Sequence, residues 1–93
     1  MSITIHIPTP LRPYVGGHDE AVFENTGSVG ELLLELVTRH IGLKAHLYDD
    51  KGNIRKFVNV YLNDEDIRYQ QGHDTHVKAG DVISIVPSIA GGV

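Results

Sequence analysis

Hydrophobic residues alternate with polar residues at the start of the chain. Ile3, Ile5 and Ile7 are each separated by one polar residue, which is the two-residue period of a strand with one buried face. Three prolines in the segment 8–13 then lead us to expect no regular structure there. Residues 21–24, Ala-Val-Phe-Glu, predict a second strand that returns antiparallel to the first.

A helical period replaces this alternation in the middle of the chain. Ser28 and Glu31 fit a capping box, in which each side chain accepts a hydrogen bond from the backbone amide of the other residue. The apolar residues that follow lie three and four positions apart and form one stripe: Val29, Leu32, Leu33, Leu36 and Val37. Leu34 lies off this stripe. The pattern predicts a helix over roughly residues 28–40, with Gly42 as its stop.

Two more strands are predicted in the second half. Within residues 57–62, one face carries Val58, Val60 and Leu62 and the other carries Phe57, Asn59 and Tyr61. The polar segment 63–66 closes this strand as a turn. Residues 82–86 form the last strand, with Ile83 and Ile85 directed to the core. Pro87 ends it, because proline has no amide hydrogen to donate to a ladder.

One amphipathic helix on one face of a mixed sheet is therefore the predicted architecture, an α+β roll. The other face of the sheet is not covered by charged residues. Phe57, Tyr61 and Val86 are candidates for an exposed apolar patch there, and such a patch on a small protein often marks a partner site. The alternative is that these side chains cover one another or lie beneath a loop.

Composition narrows the class of protein. The chain has 93 residues, 41% hydrophobic and 22% charged, as expected for one soluble domain. No apolar run approaches the roughly 20 residues that span a bilayer, and residues 1–10 lack the pattern of a secretory signal, so we expect a cytoplasmic protein. The net charge of −4 and the scattered basic residues argue against nucleic acid and membrane partners.

The sequence offers little catalytic chemistry. It has no cysteine, which excludes disulfides, thiolate metal sites and cysteine nucleophiles. His73 and His76 flank Asp74, but two histidines do not make a closed metal site, and a solvated loop is the favoured interpretation. The acidic run 64–66 lacks the spacing of a calcium loop, and Ser28 is better explained as a helix cap. We predict no enzyme, no metal site and no cofactor.

The C-terminal residues 88–93 differ from the domain that precedes them, residues 1–87. We expect them to form an extended tail and to be the least ordered part of the chain. Ala90, Gly91 and Gly92 have side chains small enough for a narrow channel in a partner. A chain that ended at Gly92 would present an unhindered carboxylate, which could be activated as an acyl adenylate.

Several segments of the chain resemble those of a known protein family. The strand–strand–helix–strand order, "FVNVYLNDEDIR" (57–68), "KAGDVISIVPS" (78–88) and the Gly91-Gly92 pair together resemble the ubiquitin-like sulfur carriers of the ThiS and MoaD type, which have the β-grasp fold. "ITIHIPTPLRPYVGG" (3–17), taken with 57–68, is most similar to the CysO-type carriers of bacterial cysteine biosynthesis. The similarity covers nearly the whole chain.

The resemblance implies a mechanism and partners. An E1-like adenylyltransferase and sulfurtransferase would adenylate Gly92 and convert it to a thiocarboxylate, reading Gly91 and Ala90 in its channel. The enzyme would contact Phe57, Tyr61 and Val86. A biosynthetic enzyme would then accept the sulfur, for example onto an activated serine or homoserine on the way to cysteine or methionine.

Val93 departs from the family pattern, because most such carriers end at the second glycine. Some relatives carry extra residues that a JAMM-type zinc metalloprotease removes, which implies cleavage between Gly92 and Val93. The alternative is that Val93 was added in cloning. Two other functions remain open within the family, the small subunit of molybdopterin synthase and a ubiquitin-like protein modifier. A β-grasp interaction module with an irrelevant tail is the last alternative.

Overall fold

The structure is a computed structural model, and it describes residues 2–24 and 26–87. The predicted tail, residues 88–93, lies outside these ranges. The strands are β1 Ile3–His6, β2 Glu20–Phe23, β3 Gly27–Ser28, β4 Val58–Leu62, β5 Glu65–Asp66, β6 His76–Val77 and β7 Val82–Pro87. The helices are α1 Val29–Arg39 and α2 Lys44–Leu47, with 3-10 helices at Thr9–Val15, Ile41–Leu43, Ile67–Tyr69 and Gly72–Asp74.

The main sheet has five strands in the order β2-β1-β7-β4-β5. β7 occupies the centre, where it runs parallel to β1 and antiparallel to β4. β3 and β6 pair separately as a short two-stranded ribbon. A mixed sheet with one main helix packed on one face is the β-grasp arrangement, so the predicted fold is confirmed. Within the described ranges, no helix is both long and apolar enough to cross a membrane.

Helix α1 forms as its sequence predicts. The Ser28 hydroxyl accepts from the Glu31 amide at 3.2 Å, and the Glu31 carboxylate accepts from the Ser28 amide at 2.9 Å. The five stripe residues are buried, whereas Leu34 is 55% exposed. They share one core with the inward side chains of the sheet: Ile3, Ile5, Val60, Leu62, Ile83 and Ile85. The helix therefore joins the two layers through the predicted face.

The expectation that the proline-rich segment lacks regular structure is wrong. Thr9–Val15 forms a 3-10 helix that buries Leu11 and Val15. Proline is tolerated at the first positions of a helix, because the amides there have no partner within the helix. The Arg12 Nε donates to the Ile7 carbonyl at 3.1 Å and ties this helix to the end of β1.

Helix α1 agrees with the predicted range, but its predicted stop at Gly42 and the predicted turn at 63–66 differ from the structure. Helix α1 ends at Arg39, and the His40 amide closes it by donating to the Leu36 carbonyl. Gly42 therefore lies beyond the stop, within the next 3-10 helix. Only the first two residues of the predicted turn 63–66 form a turn. Asn63 and Asp64 have φ of 51° and 71°, the left-handed values of a two-residue hairpin loop. The two residues after them form β5, paired with β4.

Candidate functional site

The tail begins at the end of the central strand. Ala90, Gly91, Gly92 and Val93, which the sequence predicts as the reacting and recognised residues, lie outside the described ranges. The structure does describe the residue from which this segment starts. Pro87 is the last residue of β7 and lies opposite Val58 in β4. Residues 88–93 follow directly on this strand in the sequence.

The outer face of the sheet carries two of the predicted partner residues. Val86 lies opposite Asn59, and Tyr61 lies opposite Ser84. Since the residues between them in each strand are buried, these four side chains share the face away from α1. Val86 is 41% exposed and Tyr61 is half-buried. They are diagonal neighbours, a spacing that an aromatic side chain can bridge.

Phe57 lies apart from the outer face, at the end of the sheet. It precedes β4, is 50% exposed, and lines a groove with side chains from three other parts of the chain. We call this the end groove; its walls are Leu11, His46, Asp49, Arg55, Lys56, Phe57, Val58 and Pro87. Val86 and Phe57 thus lie beside Pro87, on the outer face and in the end groove respectively, whereas Tyr61 lies farther along the outer face, opposite Ser84. They do not cover one another, because Phe57 and Val86 remain exposed.

An ion pair lies beside Tyr61. Asp66 is opposite Tyr61 in the sheet, and its Oδ2 lies 2.7 Å from Nη2 of Arg68. The hydrogen bonds from the Arg68 side chain, and then from its backbone amide, hold the pKa of the Asp66 carboxyl below its usual value. Asp66 therefore stays ionised at neutral pH and its charge is matched, which leaves a polar rim next to the tyrosine.

The described residues do not assemble a metal centre. Over residues 2–24 and 26–87, no three His, Asp or Glu side chains are placed to hold a metal ion. The Ser28 hydroxyl is engaged by the Glu31 amide. What this part of the chain presents beside Pro87 is a pair of exposed apolar side chains, Phe57 and Val86.

Exposure alone would not have identified this surface. Ile41 and Tyr69 are 72% and 86% exposed, yet both lie away from β7. Position next to Pro87 distinguishes Phe57 and Val86. Sequence reasoning missed Leu11 and His46, which also line the end groove, because the helices that carry them were not predicted.

Comparison with known proteins gives consistent results. A profile of the ThiS family matches residues 5–92. The chain is 37% identical over 94 residues to the sulfur carrier protein CysO of Mycobacterium tuberculosis, covering 99% of this chain and 100% of that one. It is 32% identical over 69 residues to small archaeal modifier protein 3 of Haloferax volcanii, 74% of each chain. These relatives are named as a carrier and a modifier, not as enzymes.

A solved structure shows the same likeness in three dimensions. A chain in the crystal structure of the BexX/CysO complex of Amycolatopsis orientalis superimposes with a TM-score of 0.83 at 39% identity. The match covers 97% of this chain and 99% of that chain.

Proposed function

The chain belongs to the ThiS family, and on that premise we propose that it is a sulfur carrier of the CysO type that works in the cytoplasm. The observation that carries the proposal is the 37% identity to a sulfur carrier protein over essentially the full length of both chains. A carrier holds sulfur at its C-terminus and leaves the chemistry to partner enzymes. The exposed apolar side chains of Phe57 and Val86 beside Pro87 support a role for this part of the chain in binding such enzymes.

The proposed chemistry takes place at the carboxylate of Gly92. One carboxylate oxygen attacks the α-phosphorus of ATP in an E1-like enzyme, and pyrophosphate leaves to give an acyl adenylate. Sulfide, or a persulfide sulfur that is later reduced, then attacks the acyl carbon and AMP leaves. The product is a thiocarboxylate. Its nucleophilic sulfur displaces the leaving group of an activated serine, homoserine or related acceptor in a biosynthetic enzyme.

The small tail residues suit this chemistry. Ala90 and Gly91 offer no side chain beyond one methyl group, so a narrow channel can admit them in extended conformation. Val93 does not suit it, because its branched Cβ restricts the chain end. While Val93 is attached, the Gly92 carbonyl is an amide and cannot attack ATP. We therefore propose that a JAMM-type zinc metalloprotease removes Val93 first.

The folded domain, residues 1–87, supplies the docking surface in this proposal. Tyr61 and Val86 on the outer face, with Phe57 beside them, contact the activating enzyme while the tail enters its active site. The complex that a CysO of Amycolatopsis orientalis forms with BexX supports engagement of a carrier of this type by a partner protein.

Mass spectrometry tests the proposal on two forms of the chain. The full chain and a chain truncated after Gly92 are each incubated with the E1-like enzyme encoded in the same genome, ATP and sulfide. We expect a thiocarboxylate, which replaces one oxygen by sulfur, only on the truncated chain. Addition of the protease should restore loading to the full chain.

The matched control is a truncated chain with Gly92→Val. It has a free carboxylate but a branched terminal residue, and we expect it to load poorly. Direct loading of the Val93-ended chain would overturn the precursor step, and failure of the truncated chain to load would overturn the carrier proposal.

A protein modifier is the second candidate. The observation in its favour is the 32% identity to small archaeal modifier protein 3 over three quarters of the chain. In this case the activated Gly92 would be transferred to lysine amines of other proteins. Glycine remnants on foreign lysines in a tryptic digest of the native host would identify it, and their absence beside a thiocarboxylate would favour the carrier.

A further inference from the structure

The end groove combines an apolar floor with a cationic rim. Leu11 is almost fully buried, and Val58 and Pro87 are half-buried beside it. Phe57 stands at the edge with half of its surface exposed. Arg55 and Lys56 form the rim next to Phe57. An apolar depression edged by charge suits a segment that carries both an apolar and a charged side chain.

The two rim cations are not neutralised by their surroundings. Arg55 uses its Nε to donate to the Ala45 carbonyl at 2.9 Å, and Ala45 lies outside the groove, in a neighbouring depression that Arg55 shares with Asp49 and Asp50. Within the described residues, neither Arg55 nor Lys56 forms an ion pair. The one carboxylate in the walls is Asp49. Its Oδ1 accepts hydrogen bonds from the backbone amides of Lys51 and Asn53 and so stabilises the loop that follows Asp49.

The rest of the molecule has the opposite charge. The net charge of the chain is −4, although the groove carries two cations against one carboxylate. A long polyanion such as nucleic acid would be repelled by the remaining surface. A short acidic segment would contact the groove alone, and the local field would favour it.

We propose that the end groove binds an acidic segment of the activating enzyme, which places an apolar side chain against Leu11, Phe57 and Val58 and a carboxylate beside Arg55 and Lys56. This inference rests on the proposed function for the identity of the partner class. It adds the end groove to the outer face as a second surface that contacts the enzyme, and it specifies an apolar and an acidic side chain as the groups bound there. Pro87 forms part of the groove, so a segment held there is fixed next to the first residue of the tail.

The binding test reverses the rim charge. The affinity of the full chain for the E1-like enzyme of the same genome is measured by calorimetry at low and high salt. We expect Arg55→Glu/Lys56→Glu to weaken binding by roughly tenfold or more, since like charges then face each other. Salt should weaken the wild-type complex and have a smaller effect on the variant, because screening removes the attraction.

The matched control, Lys44→Glu/Lys51→Glu, makes the same change of net charge outside the groove. We expect its affinity to stay within about twofold of wild type. Lys56→Glu alone preserves the Arg55 bond to Ala45, so it tests the rim even where the double variant folds poorly. Thermal unfolding of each variant identifies such a loss.

The outcomes separate the two proposals. Equal affinity of the rim and wild-type chains, together with normal thiocarboxylate formation, would overturn the groove and leave the carrier function intact. A wild-type chain that neither binds nor is loaded would overturn both. If the rim variants instead abolish a dimer of this chain detected by light scattering, the occupant is a second copy and the partner assignment is wrong.

Discussion

Asp81 is the one buried carboxylate in residues 2–24 and 26–87, and it joins two turns. Its Oδ1 accepts from the Asn63 side-chain amide and its Oδ2 from the Lys78 backbone amide, each at 3.0 Å. Asn63 in turn exchanges two hydrogen bonds with the backbone of Val82. The hairpin between β4 and β5 is thereby fixed to the start of β7.

The environment of Asp81 contains opposing effects on its pKa. Burial acts to raise the pKa of the carboxyl, because the charged form loses hydration. The hydrogen bonds from Lys78 and Asn63, with the charges of Lys78 and His76, outweigh burial and leave the pKa below its ordinary value. Such a group stabilises the fold above its unfolded pKa of about 4. This stabilisation is lost as the pH falls through the folded pKa.

We therefore expect Asp81→Asn to lower the free energy of unfolding at pH 7 by about 1–3 kcal/mol, because its new amide group would face the Lys78 amide as a second donor. The difference from wild type should shrink as the pH falls below about 4. Urea unfolding at pH 7 and pH 3 measures both effects. Asp64→Asn, at an exposed turn position that suits asparagine, is the control. The same loss in both variants would contradict a special role for Asp81.

At the scale of elements, the buried stripe of α1 carries the contact between the two layers. Leu36 is fully buried, and its truncation leaves a cavity. We expect Leu36→Ala to lower the free energy of unfolding by about 2–5 kcal/mol. Leu34→Ala removes the same atoms from a side chain that is 55% exposed, and should change stability by less than about 0.5 kcal/mol. Denaturant unfolding compares the two, and a reversed order would show that the helix packs through its other face.

The predictable elements are those whose signal is local. The α1 stripe, its Ser28 cap and the alternation of Ile3 to Ile7 each encode their buried face within a few residues. The 3-10 helix at Thr9–Val15 was missed because its stability comes from burying Leu11 and Val15 against distant residues, while its prolines indicate a break. Tertiary packing there outweighed the local preference.

The candidate site also contains residues that a local sequence pattern predicts and residues that only the folded structure brings together. The exposure of Val86 followed from a strand pattern that placed apolar residues on the outer face without charge. The same pattern extended the strand to Phe57 and placed that residue on the outer face, which is wrong, because β4 begins at Val58 and Phe57 lines the end groove. The end groove could not be predicted, since Leu11, His46 and Phe57 meet only after the chain has folded. Nothing in the spacing of these residues indicates their contact.

At the scale of the whole molecule, the outer face and the start of the tail should act as one recognition unit. We expect Tyr61→Ala to weaken binding to the activating enzyme by about 1–3 kcal/mol, because aromatic residues at interface centres contribute strongly. Tyr61 is only half-buried, so the variant should remain folded by circular dichroism. Tyr69→Ala removes a tyrosine that is 86% exposed and lies outside β7 and β4, and should bind as wild type. Equal affinity of both variants would place the interface elsewhere.

The central position of β7 has a consequence for synthesis of the protein. On the ribosome, β1 and α1 emerge early, but the strand that pairs with both β1 and β4 is the last of the domain to leave the exit tunnel. Until it does, the main sheet is two separate pieces with unpaired edges and an open apolar face. A chain whose synthesis stops before Val82 lacks the central strand of the main sheet. Such a chain cannot fold and is exposed to degradation. Completion of the main sheet therefore requires that translation has passed β7 and reached the C-terminal segment.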